Sequence, residues 1–177
     1  FWLVRESHYR EYLARRRDAE ACKAHVPWLE QFPLKALQVA GILPAGRLTA
    51  ALKQKMVDPL LRFFGVASPE GWAAQYNQMQ AQFRRAKPAK QTDNAAITAW
   101  LRMGELAASR LQVADYSAQA LESALPAMRA LTLSRPEDIG PQLTRLCAQA
   151  GVALVFVAAL PGTHVSGVAR WVGGKPL

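Results

Sequence analysis

The sequence predicts a mainly α fold: a multi-helix array followed by a short antiparallel β element that begins an α+β domain. Two observations carry this expectation. From Leu3 to Ala150 the apolar residues recur at i, i+3 and i+4, the spacing of a helix face. After Gly151 the pattern changes to the β-branched run Val152 to Val157, closed by Pro161-Gly162 and followed further on by Gly173-Gly174.

The first helix is expected from about Leu3 to Ala24, with Tyr9, Tyr12, Leu13 and Arg16 at helical spacing and Arg/Glu pairs on the other faces. Pro27 should break it, leaving Trp28 to Phe32 as an aromatic connector. Pro33 suits a first helical turn, and the helix it opens stops at Gly41. Leu48, Leu52, Met56, Leu60 and Phe63 form a stripe ending at Phe64-Gly65, where glycine suits a left-handed cap. Pro59 lies inside that stripe and predicts a kink or a break.

Ser68-Pro69-Glu70 is a helix start: a hydroxyl to cap, a proline for the first turn and a carboxylate at the positive end. That helix carries Trp72, Tyr76, Met79 and Phe83. Thr92-Asp93 caps the next, bearing Ile97, Trp100, Leu101, Gly104, Ala108 and Leu111, with Gly104 a point of close approach. Ser117 opens another, with Leu121, Leu125, Met128 and Leu131 on one face and a bend expected at Pro126. Ser134 and Glu137 have capping-box spacing and lead through Ile139, Leu143, Leu146 and Cys147 to the Gly151 cap.

Val152 to Val157 then reads as a buried strand and Val165 to Val172 as a second, with Gly173-Gly174 turning toward a third of which Lys175, Pro176 and Leu177 are present. A sheet that begins so late, and a start at Phe1-Trp2 without an initiator methionine, read as the interior of a longer polypeptide. The expected organisation is residues 1–32 as long helix and connector, 33–133 as a helical region, and 134–177 as a helix with the first two strands of the next domain.

Composition narrows the function classes. The 177 residues are 51% hydrophobic, enough for a packed core, and no apolar run approaches the about 18 residues that span a bilayer. Cys22 and Cys147 lie far apart on helical segments, which excludes a disulfide framework and any C-x-x-C motif and fits a reducing cytoplasm. His8, His25 and His164 have no Cys, Asp or Glu at ligand spacing, so no metal site is expected from this chain. No carboxylate pair is tied to a histidine, no G-x-S-x-G occurs and no phosphate-cradling glycine loop occurs, so no catalytic residue is assigned.

The formal charge of +9 raises nucleic acid as a partner. In residues 1–23 the arginines are interleaved with Glu6, Glu11, Asp18 and Glu20, the mixture of a solvated helix face. The clustered charge is Arg84, Arg85, Lys87 and Lys90 around Pro88, which reads either as a soluble connector or as a loop that meets a phosphate backbone.

The ordered series Phe1-Trp2-Leu3, Trp28-Leu29-Glu30-Gln31-Phe32-Pro33-Leu34-Lys35, Leu61-Arg62-Phe63-Phe64-Gly65-Val66 and Ser68-Pro69-Glu70-Gly71-Trp72 resembles a known family. It is similar to the central region of bacterial proteins that join a helix-turn-helix domain of the XRE/HigA-antitoxin type to an ImmA/IrrE-type metallopeptidase domain. Ala99-Trp100-Leu101-Arg102-Met103-Gly104-Glu105-Leu106, Leu160-Pro161-Gly162-Thr163-His164-Val165-Ser166-Gly167 and Arg170-Trp171 continue the likeness over nearly the whole chain.

The resemblance implies a DNA-binding domain before Phe1, and a zinc-binding H-E-x-x-H helix after a third strand, beyond Leu177. The zinc would belong to that longer protein, with no cofactor in this chain. His164 matches a strand position and not the metal histidine, so no catalytic residue is carried over. The strand containing Thr163, Ser166 and Arg170 is expected near the peptidase cleft. The function so implied is a non-catalytic middle segment of a transcriptional regulator, coupling or dimerising its two ends, with DNA bound elsewhere and a peptide or protein as further partner. Two alternatives stand beside it: a basic nucleic-acid-binding module acting through Arg84, Arg85, Lys87 and Lys90, and an interaction domain that pairs through the open strand edge Val165 to Val172.

Overall fold

The computed structural model describes residue 20 and residues 22–83, 93–165 and 167–177, with backbone alone for residues 77–83. Among these the chain is mainly helical, with a short two-stranded antiparallel sheet at its C-terminal end. The helices are α1 (Val26–Leu29), α2 (Leu34–Val39), α3 (Ala50–Phe64), α4 (Pro69–Phe83), α5 (Asn94–Ala108), α6 (Ala118–Ala130) and α7 (Pro136–Gln149). A 3-10 turn, Leu131–Leu133, joins α6 to α7, and the strands are β1 (Trp171–Val172) and β2 (Lys175–Pro176). They form two compact units: Phe1–Ala99 with Leu160–Thr163, and Trp100–Ala159 with His164–Leu177.

In the first unit, most of the expected opening helix lies outside the described residues. Pro27 does not leave a connector behind it. It occupies the first turn of α1, where its missing N–H costs nothing, and Trp28 and Leu29 are buried within that turn. Thr49 caps α3 by accepting the Leu52 N–H at 3.2 Å. At the other end Gly65 takes φ 71°, Val66 N–H reaches Leu61 O and Gly65 N–H reaches Arg62 O, the paired bonds of a glycine-closed helix.

The break expected at Pro59 does not occur; α3 continues through it to Phe64. The same helix buries Met56, Val57, Leu60 and Phe64, and full burial of each such side chain is worth about 1.5–3 kcal/mol against the roughly 3 kcal/mol of an interior proline. Pro126 likewise lies inside an uninterrupted α6.

The core of the first unit is aromatic. Phe64 is 1% exposed, with its ring centroid 5.3 Å from those of Phe32 and Tyr76 and 6.0 Å from that of Trp72, while Trp28 meets Phe32 edge-on at 5.2 Å. Such tilted and T-shaped contacts set the positive ring edge against a negative face. Ser68 caps α4 through the Gly71 N–H, and Asp93 Oδ1 accepts the Ala95 and Ala96 N–H groups at the head of α5.

In the second unit, Ser117 Oγ caps α6 by accepting the Ala120 N–H. The capping box expected at Ser134 and Glu137 is absent: the N-cap of α7 is Arg135, without a side-chain bond. Pro136, already pre-set for the first turn, begins the helix, so the N-cap falls on Arg135, one residue beyond Ser134. At the end of α7, Gly151 at φ +81° closes the helix through Val152 N–H to Cys147 O and Gly151 N–H to Ala148 O.

The β region departs most from expectation. Residues 152–157 form no strand; Ala153 N–H donates to Pro176 O at 2.9 Å, and Val152 N–H to Cys147 O at 2.9 Å. Among the described residues of 165–172, Trp171 and Val172 form the strand, with Arg170 extending its pairing by one residue. The hairpin joins the second and third expected strands, in register Trp171↔Pro176 and Val172↔Lys175, and not the first and second. Gly173 and Gly174 adopt φ +57° and +81°, the two positive values that a tight two-residue hairpin turn requires.

Candidate functional site

The features with chemical potential in the second unit cluster around the hairpin. Arg170 N–H donates to Leu177 O at 2.9 Å, and Leu177 N–H returns the bond at 2.8 Å, so the ladder continues one pair past β1 and β2. The Arg170 guanidinium lies against Glu105 of α5, Nη1 to Oε1 2.8 Å, held by charge without the N–H alignment of a hydrogen bond. The second carboxylate oxygen accepts from Arg102 Nη1 at 2.8 Å. With its side chain 11% exposed, Glu105 is thus flanked by two cations in a partly desolvated cluster.

Beside this cluster is an apolar trough of about 500 Å3. One wall is residues 153–158, the other is Gly167 and Val168, the floor includes Trp100, Leu101 and Gly104, and Leu177 stands at its edge. Trp100 Nε1 donates to Val157 O at 3.4 Å, tying that wall to α5. Among the described residues no charged side chain lines the trough. In the first unit an open groove of about 490 Å3 runs past Phe32, Leu34 and Leu48, with the Lys53–Glu30 ion pair, 2.6 Å long, at its side.

Of the residues singled out in the sequence, Arg84, Arg85, Lys87, Lys90 and Ser166 lie outside the described residues. Thr163 is 1% exposed and donates its hydroxyl to Leu160 O at 2.8 Å, a turn-closing role. It belongs to the first unit and Arg170 to the second. His164 is exposed at φ 41°. Among the described residues no group of three or more His, Cys, Asp or Glu is placed to hold a metal ion. The zinc implied by the resemblance therefore finds no fitting donor set here, and no chemistry is derived through it. No described helix is long and apolar enough to cross a membrane.

Sequence reasoning missed Glu105 and the trough. The Arg102–Glu105 spacing of i, i+3 was visible as a helix pair. Arg170 as the second partner was not, because nothing local links it to α5.

Comparison of the chain with protein-family models, with curated proteins and with solved structures gives no match.

Proposed function

We propose that this chain is the non-catalytic middle segment of a DNA-binding regulator of the antitoxin type that carries an ImmA/IrrE-type metallopeptidase domain, and that its helices couple or dimerise the two ends. The observation that carries this reading is the ordered series of resembling segments from Trp28 to Trp171. The architecture supports it: a mainly helical body passes, after α7, into a short antiparallel element. On this reading residues 134–177 open the peptidase-like domain, DNA is bound by a helix-turn-helix domain of the same protein, and the zinc ligands belong to residues outside this chain.

The test is the reading frame that encodes the segment, followed by metal analysis of its product. A helix-turn-helix region on the N-terminal side and H-E-x-x-H on the C-terminal side, with about one zinc per chain, are expected. A frame without both motifs overturns the proposal, as does stoichiometric zinc bound by these 177 residues alone.

A further inference from the structure

Helix α6 carries no buried residue from Ala118 to Ala130. It packs on α7 and on the 3-10 turn Leu131–Leu133, and its half-buried side is Ala120, Leu121, Ala124 and Met128. Ala118, Glu122, Leu125 and Arg129 follow the four- and three-residue spacing of a second helix face, and all four are exposed, Leu125 by 41%. Pro126 is exposed beside Leu125, and Leu133, just past the helix end, is 92% exposed. Among the described residues Glu122 and Arg129 make no ion pair. Every residue three or four places from either is uncharged, and the two are separated from each other by about 10 Å along the axis, too far to pair within one helix.

We infer that this face of α6 is a contact between two copies of the chain, packed antiparallel about a twofold axis that passes between Leu125 and Pro126. Charge complementarity selects a second copy as the occupant. Glu122 and Arg129 lie equally far from that axis on opposite sides, so antiparallel packing sets Glu122 of each copy against Arg129 of the other. A self-complementary surface requires acid and base to be exchanged end for end in this way, whereas a different partner requires no such symmetry of α6. Parallel packing would oppose like charges at both positions, which repels. At the centre Leu125 meets Pro126 of the second copy, and in the same register the exposed Leu133 comes opposite Ala118. The small side chains of Ala118, Ala127 and Ala130 admit helix axes about 8–10 Å apart. The contact rests on the regulator reading only for its use, as the place where such a protein dimerises; the reading frame tests that reading and the solution mass tests this contact, so either can fail alone.

Sedimentation equilibrium of the 177-residue protein at low ionic strength tests it. One helix face is a small interface, so a dimer of twice the 19.4 kDa chain mass is expected with a dissociation constant on the order of 10–100 µM. Glu122→Arg and Arg129→Glu each place like charges at both ends of the contact, and each should weaken the dimer about tenfold or more. An equimolar mixture of the two single variants restores opposite charges at both ends and should form a heterodimer within about threefold of the original strength, as should the double reversal on its own. Both residues are exposed, so circular dichroism should show every variant folded. Leu125→Asp should give a folded monomer. A protein that stays monomeric up to about 1 mM overturns the inference and leaves the face to a different partner. A dimer indifferent to the single reversals overturns it too, because the contact then lies elsewhere, and so does a mixture that fails to recover, because the packing is then not antiparallel about Leu125 and Pro126.

Discussion

Replacing Gly151 by alanine should be among the most damaging single changes in the second unit, and its cost follows from two separate terms. At φ +81° an alanine pays about 1–2 kcal/mol for a left-handed backbone. The added Cβ would also lie 2.3 Å from Tyr116 Cα, 2.5 Å from Tyr116 N and 2.6 Å from the Asp115 carbonyl carbon. These are backbone atoms that no rotamer change can move aside. Relief requires residues 114–117 to shift, and that segment is held by Ala114 N–H to Ala148 O at 3.0 Å and Ser117 N–H to Ala150 O at 3.1 Å. Those bonds satisfy carbonyls at the end of α7, and losing both costs about 1–3 kcal/mol.

The expected destabilisation is therefore about 2–5 kcal/mol. Gly173→Ala supplies the control, because Gly173 has φ +57° with nothing within 4 Å of the built Cβ, and only the backbone term of about 1 kcal/mol applies. Urea unfolding followed by circular dichroism reads the difference as a midpoint lowered by about 1 M or more for Gly151→Ala relative to Gly173→Ala, at a slope of 1–3 kcal/mol/M. Midpoints that coincide would show that the close approach of residues 115–116 to α7 contributes nothing, and would refute the reasoning.

Phe64→Ala should cost about 3–5 kcal/mol by urea unfolding, because the ring is buried and has Phe32, Trp72 and Tyr76 around it; a loss below about 1 kcal/mol would mean the aromatic core is not packed as described. The Ser68 side chain, bonded to Glu70, holds that carboxyl below the usual glutamate range, so its contribution to stability is present above that range and is lost as pH falls through the lowered folded value. A carbon-13 titration of Glu70 should show this, and Ser68→Ala should move the midpoint upward; an unmoved midpoint would remove Ser68 as the cause. Burial pushes the Cys147 thiol up, so at pH 8 a disulfide reagent should label half-buried Cys22 well before Cys147, and equal rates by peptide mapping would contradict the packing of α7.

What could be read from the sequence was what neighbouring residues decide. Ser68, Asp93 and Ser117 cap helices because a short polar side chain meets amides only two or three residues on. Gly65 and Gly151 close helices because the left-handed position falls where the apolar stripe ends. Pro27 and Pro59 were read from the local cost of a proline alone, while the place of Pro27 in the first turn of α1 and the burial of Met56, Val57, Leu60 and Phe64 around Pro59 were not visible. The strands failed differently. Val152 to Val157 has strand composition, yet a strand exists only where another segment supplies its bonds, and that partner is set by a turn elsewhere in the chain. Of the candidate site residues, Thr163 and Arg170 could be named from sequence, but the burial of one and the Glu105 partner of the other depend on contacts across long separations.

Arg170 connects these levels. Its backbone exchanges both hydrogen bonds with Leu177, which fixes the head of the trough, while its side chain reaches Glu105 on α5, the helix that floors the same trough through Trp100, Leu101 and Gly104. The two-residue strands alone are too short to hold the hairpin in place, since an isolated hairpin of this size is marginal in water. The carboxylate supplies the missing anchor, and Arg102, one helical turn from Glu105, keeps it from swinging away. One ion cluster thereby ties the hairpin to α5.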